Sequence, residues 1–152
     1  MRIFAKSLLA ATFFLALAQP TRAENLYGEW QGQRYDLYLD NENIYGSYGD
    51  ARADFYVRDE NLYGDLFGSS FDVYVRQENA YGTMPCGPLD YYYRGRNVYG
   101  QYCDNRFDVY FNTDDEALAG ASDVLLDDIV SAFPQPVRRR VREFILENLT
   151  YF

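Results

Sequence analysis

The chain has 152 residues, with 14 basic against 23 acidic side chains and no histidine. That balance argues against general affinity for nucleic acid, which needs a positive footprint to meet phosphate. The missing imidazole removes the commonest general base, the usual catalytic triads and the usual catalytic zinc sites.

Residues 1–23 read as an export signal. Arg2 and Lys6 form a positive start, Ser7 to Leu17 is an apolar stretch too short to span a bilayer as a helix, and Thr21-Arg22-Ala23 suits cleavage. The expected location is therefore periplasmic or secreted, with a soluble mature chain. Without those residues, eleven arginines face 23 acids, a net charge of −12, and no lysine remains. Two cysteines survive, Cys86 and Cys103, and in an exported protein they are expected to pair.

Five copies of an 18-residue unit then run without a gap, starting at Glu24, Glu42, Glu60, Glu78 and Arg96. Each opens on Asn-x-Tyr-Gly, from Asn25-Leu26-Tyr27-Gly28 to Asn97-Val98-Tyr99-Gly100, and each closes on Asp-x-Tyr, from Asp36 and Tyr38 to Asp108 and Tyr110. A constant period means one small unit whose copies share a core. Apolar and polar residues alternate in Asp54 to Arg58 and again in Phe71 to Arg76, so each unit holds two strands with one buried face.

Even-numbered loops keep the two faces separate. Loops at Glu60-Asn61 and Gly68-Ser69, with equivalent corners at Asp104-Asn105 and Gly32-Gln33, place Phe55, Val57, Leu62, Gly64 and Leu66 inside. Tyr56, Arg58, Tyr63 and Asp65 then lie outside. In that register Arg58 stands opposite Tyr63 and Val57 opposite Gly64. The recurring glycines, Gly28, Gly46, Gly64, Gly82 and Gly100, fall mid-strand on the inner face. A missing side chain there gives a neighbour room to fold over or lets the sheet bend.

The expected fold is mainly β: residues 24–113 form a ten-strand antiparallel meander of five hairpins, as a curled sheet or a barrel. A β-solenoid is the alternative. Turn chemistry favours hairpins, whereas the cysteines favour the solenoid, because equivalent turns of a meander lie about 9.5 Å apart by strand spacing, beyond disulfide reach. A barrel crossing an outer membrane would need longer strands than these units supply.

Residues 114–152 form a C-terminal helical segment. Asn112 to Gly120, acidic and rich in small residues, reads as a linker. A helix follows from Ser122 with Leu126, Ile129, Val130 and Phe133 on one face. Pro134 and Pro136 interrupt. A second helix presents Val137, Val141, Phe144, Ile145, Leu149 and Phe152. Both are amphipathic and are expected to dock on the inner face of the sheet. Arg138, Arg139, Arg140 and Arg142 begin the second helix, where the helix dipole disfavours positive charge. Pairing with Asp123, Asp127, Asp128 or Asp114, Asp115 and Glu116 would offset this; the alternative is a docking patch for lipid headgroups or an acidic protein.

No metal or cofactor is expected, since no Asp-x-Asp-x-Asp-Gly calcium loop is present. An acid that recurs in every unit fits a structural row or a repeated binding row, so the chain reads as non-catalytic. The outer face offers the candidate site. Tyr45, Tyr63, Tyr56, Tyr74 and Tyr92, with Arg58, Arg76 and Arg94, combine ring surface with forked hydrogen bonding. The reading is an envelope protein that binds a glycan or a protein partner through this Tyr/Asp/Arg face. The alternative is a structural protein whose edges self-associate into fibres or an envelope layer. Tyr27-Gly28-Glu29-Trp30-Gln31-Gly32 resembles, in outline, the hairpin repeats of the MORN and choline-binding families. Their spacings are not reproduced, and no residue roles carry over.

Overall fold

The computed structural model describes residues 23–76 and 78–149, so the export-signal reading lies outside them save for Ala23, as does Phe152. Ten strands follow in chain order: β1 (Glu24–Trp30), β2 (Gln33–Asp40), β3 (Asn43–Tyr48), β4 (Ala51–Arg58), β5 (Asn61–Leu66), β6 (Ser69–Arg76), β7 (Asn79–Met84), β8 (Gly87–Arg94), β9 (Asn97–Tyr102) and β10 (Asn105–Tyr110). They form one sheet in sequential order, every neighbouring pair antiparallel. The sheet is an open, curled meander; β1 and β10 are its two edges. The solenoid alternative is thereby overturned, since stacked coils would pair equivalent strands of successive units.

The inner face is as the alternation predicts. Phe55, Val57 and Leu62 are fully buried, and Leu66 and Phe71 nearly so. The register differs from expectation by two residues. Val57 pairs with Leu62 and Phe55 with Gly64, and the loops are Asp59-Glu60 and Phe67-Gly68 rather than Glu60-Asn61 and Gly68-Ser69. Gln31-Gly32 and Cys103-Asp104 likewise begin one residue earlier than predicted. The reason is turn chemistry. A two-residue turn matching the twist of the strands needs positive φ, and glycine favours its second position. Phe67 and Gly68 have φ of 53° and 89°, and Gln31 and Gly32 have 52° and 75°. A slip of two preserves the faces, so the alternation alone does not detect it.

Each hairpin is also displaced by two residues against the one before. Tyr56 pairs with Tyr63, whereas Tyr74, its equivalent, stands opposite Asn61 on the other side of β5. This stagger, with the glycines, curls the sheet. Gly46, Gly64, Gly82 and Gly100 have φ of 144–150°, and a Cβ at any of them would overlap the carbonyl oxygen of Asp36, Asp54, Asp72 or Asp90 on the preceding strand. Across the missing side chain the flanking residues close. Phe55 and Phe71, both opposite Gly64, stack at 5.2 Å between centroids, and Tyr91 and Phe107 meet at 4.6 Å over Gly100. Both roles expected of the glycine therefore hold at once.

Two helices fill the hollow. Helix α1 spans Asp114–Ser131, a 3₁₀ turn spans Gln135–Val137, and α2 spans Arg138–Asn148. From Asp114 onward the predicted linker is instead the beginning of α1. An acid-led, alanine-rich stretch is good helix material, because acids suit the N-terminal end of the dipole and alanine has the highest helix propensity. Leu125, Leu126, Ile129, Val130, Phe133, Val137, Val141, Phe144, Ile145 and Leu149 are all buried, in one continuous core with the sheet. Helix α1 lies against β8 and β9, α2 against β4, and the 3₁₀ turn against β1. Phe133 sits at the centre, edge-on to Phe55 at 6.1 Å and to Phe67 at 5.7 Å.

The disulfide joins Cys86 to Cys103 with Cα atoms 5.3 Å apart. The expected obstacle disappears because the separation is 17 residues, not 18. Cys86 is the last residue before β8 and Cys103 the first after β9, so the bridge spans one strand spacing rather than two. A disulfide is compatible with an exported protein. Among the described residues no helix is long and apolar enough to cross a membrane.

Candidate functional site

The outer, convex face is built from the two recurring motifs, Asn-x-Tyr-Gly and Asp-x-Tyr. In the observed register the tyrosine of Asn-x-Tyr-Gly stands directly opposite the tyrosine that closes the preceding unit: Tyr38 with Tyr45, Tyr56 with Tyr63, Tyr74 with Tyr81, and Tyr92 with Tyr99. The last three pairs stack nearly parallel, with centroids 5.1, 5.4 and 5.6 Å apart; the first is tilted at 4.9 Å. The next row outward on each side is fixed as well. Asn61, Tyr74, Tyr81 and Asp90 form one continuous cross-strand line, as do Asn79, Tyr92, Tyr99 and Asp108.

All five predicted tyrosines lie on this face, but they do not pair with arginine. Tyr38, Tyr81 and Tyr99, which the repeat places in the same two outer rows, complete the pairs; the sequence reading missed which tyrosines face each other, and the signal for that was the turn register. The Asp-x-Tyr tripeptide is itself a unit, because the Asp and Tyr side chains share the outer face. The Tyr56 phenol donates to the Asp54 carboxylate and Tyr92 donates to Asp90, which with partial desolvation raises both phenols above their ordinary pKa.

The predicted arginines occupy the strand ends. Arg58 stands 3.7 Å from Glu42 and Arg76 2.9 Å from Glu60, each the acid that opens the arginine's own unit. Arg76 also lies 5.9 Å from the ring centre of Tyr81. Arg94 takes the equivalent position at the end of β8, opposite Asn97. These charges frame the tyrosine rows rather than enter them.

The arginine cluster of α2 is largely engaged inside the molecule. Arg142 pairs with Asp123 at 2.9 Å and with Asp127, as one sequence reading expected. Arg140 reaches Glu24 of β1 at 2.5 Å and Glu147 at 3.4 Å. Arg138 donates to the carbonyls of Phe133 and Ser131, closing the end of α1. Only Arg139 of the four points outward, with 92% of its side chain exposed beside Glu143.

A second polar group lies between helix and sheet. Tyr91 occupies the inner-face position that is Leu37, Phe55 and Val73 in earlier units. Burial raises its phenol to about 12, and Tyr102 is raised to about 12 by burial and by the Asp128 carboxylate, to which its hydroxyl donates. Burial in turn raises Asp128, opposed by that hydrogen bond. This group ties α1 to β8 and β9, with Tyr91 buried and Tyr102 and Asp128 half-buried.

No family model, no curated protein and no solved structure matches this chain.

Proposed function

We propose that the protein is a non-catalytic, exported binding protein whose convex Tyr/Asp/Arg face takes a ligand at the cell envelope, a glycan in preference to a protein. The observation that carries the reading is periodicity on an uncovered face. A tyrosine pair recurs at each of the four junctions between units, two of them with a phenol hydrogen-bonded to a carboxylate, while the helices occupy the opposite side. Two strand spacings and a two-residue stagger put successive pairs on the order of 12 Å apart. A periodic surface suits a periodic ligand, and each added pair raises effective concentration for the next.

The geometry also shapes the mode of binding. Because the rings stack on each other, the groups best presented to a ligand are phenol hydroxyls and Asp carboxylates, which suit the hydroxyl edges of sugars. The arginines at the strand ends, held by Glu42 and Glu60, supply the rim. Replacing Tyr56, Tyr74 and Tyr92 together with serine is expected to abolish retention on envelope polysaccharide while the far-ultraviolet circular dichroism stays unchanged. Undiminished retention rejects the reading. Retention that survives periodate treatment of the envelope but not protease treatment moves it to a protein ligand.

A further inference from the structure

The two sheet edges are complementary halves of the motif that joins every internal hairpin. Four tyrosine pairs link successive units, and two tyrosines are left over. Tyr27 of β1 is 74% exposed and Tyr110 of β10 is 77% exposed, the two most exposed large apolar side chains among the described residues. By repeat position Tyr110 is equivalent to Tyr38, Tyr56, Tyr74 and Tyr92, and Tyr27 to Tyr45, Tyr63, Tyr81 and Tyr99. We infer that β10 of one copy pairs with β1 of the next, in the register of the internal hairpins, so that copies join head to tail. The inference does not rest on the glycan reading and concerns the edges rather than the convex face.

The register can be written out. With Tyr110 opposite Tyr27 of the next copy, Val109 meets Gly28, Phe111 meets Leu26, and Phe107 meets Trp30. The inner-face row would then be apolar throughout. Phe107, Phe111 and Leu26 already border the core, and Val109 is 45% exposed. On the outer face Asp108 comes opposite Glu29. That like-charge contact is unfavourable, but the molecule already holds one of the same kind, Asp54 opposite Asp65. Glu29 also has Arg34 across from it within its own hairpin.

The backbone is ready on both edges. Antiparallel residues bond alternately to one side and the other. Phe111 donates to Arg96, so Tyr110 and Asp108 direct their N–H and C=O groups outward; by the same alternation from Gly49 donating to Arg34, so does Tyr27. Neither β1 nor β10 contains proline or lysine, and each is a six- or seven-residue strand with no partner on its outer side among the described residues. Such edges are normally protected.

Gly28 fits the same scheme. At Gly46, Gly64, Gly82 and Gly100 only glycine can accept the preceding strand. Gly28 has no preceding strand within its own chain, and a Cβ there would meet only the ring of Tyr35. It occupies the position that the carbonyl of Asp108 from another copy would approach. Because the two edges are different surfaces, the contact is heterologous and leads to open strings or to rings.

The test uses the protein as isolated from its producing cell, followed by sedimentation velocity from low micromolar to near-millimolar concentration. The wild type is expected to grow beyond a dimer. Tyr27→Pro and Tyr110→Pro each remove one outward donor and half of the tyrosine pair at an edge where proline is tolerated, and each alone is expected to stay monomeric. Mixed, they should give a one-to-one dimer and nothing larger, since one keeps a working β10 and the other a working β1. Should either proline disturb the far-ultraviolet spectrum, Tyr27→Arg and Tyr110→Arg serve in its place. A wild type that is monomeric throughout, variants that assemble as the wild type does, or a mixture that fails to dimerise each overturns the inference.

Discussion

Both faces of the sheet carry aromatic stacks, and they are built differently. On the convex side Tyr56 and Tyr63 are nearest neighbours across one hydrogen-bonded pair. On the concave side Phe55 and Phe71 lie two strands apart and still meet, because Gly64 between them has no side chain and the sheet bends over it. Curvature brings the inner rings together and spreads the outer ones. Glycine is thus what makes the two faces unequal: one contracts enough to be filled by two helices, and the other stays open.

The sharpest way to break that asymmetry is to empty the concave side. Phe133 is 1% exposed and touches Phe55 and Phe67 edge-on. Phe133→Ala is expected to cost about 4 kcal/mol, read as a fall in the denaturant midpoint, and to free the helices for faster backbone hydrogen exchange. Next comes the bend itself. Gly64→Ala forces a Cβ into the Asp54 carbonyl at a φ of 144°, and is expected to cost about 3 kcal/mol. Gly28→Ala, facing only a movable ring, should cost less than about 1 kcal/mol. Equal costs at the two glycines would refute the account of the curl.

Alkali tests the concave face in another way. The phenols of Tyr91 and Tyr102 stand at about 12, above the ordinary value of 10.0. Between those values the folded protein keeps protons that the unfolded chain has lost, so the folded state binds more protons and stability falls as pH rises. The stabilising effect is complete below about pH 10 and should drain away as pH climbs through about 12. Thermal melts across that range should show it, and Tyr91→Phe should flatten part of the decline. The smallest effect belongs to the convex side. Tyr74→Ser removes one cross-strand ring pair and is expected to cost about 0.5 kcal/mol, a quantity to compare with its much larger expected effect on polysaccharide retention.

The period, the strand pairing and the division of residues between faces were legible because alternation reports which side a residue takes. Alternation is blind to a shift of two. Turn placement therefore has to come from backbone chemistry: Gly68 is the second and not the first residue of its turn, which displaces the partners between β5 and β6. Tyr63 faces Tyr56 in place of Arg58 because the preceding turn is likewise Asp59-Glu60 and not Glu60-Asn61. The cysteines favour the solenoid only if repeat-equivalent positions set the distance; one residue of offset places them beside adjacent strands. Helix α1 began earlier than its apolar face suggested, since its first turns are made by acids and alanines. The contact of Arg140 with Glu24 spans 116 residues and has no local signature at all.

The two-residue stagger has a consequence for how such a chain can change in length. Every internal unit meets its neighbours through the same step, so inserting or deleting one copy keeps inside and outside in place and shifts only where the series stops. The helices do not share that freedom, being fitted to particular strands at both ends of the hollow. A lengthened variant would therefore outgrow its plug before it lost its pairing, and natural variation in unit number should be accompanied by change in the terminal segment.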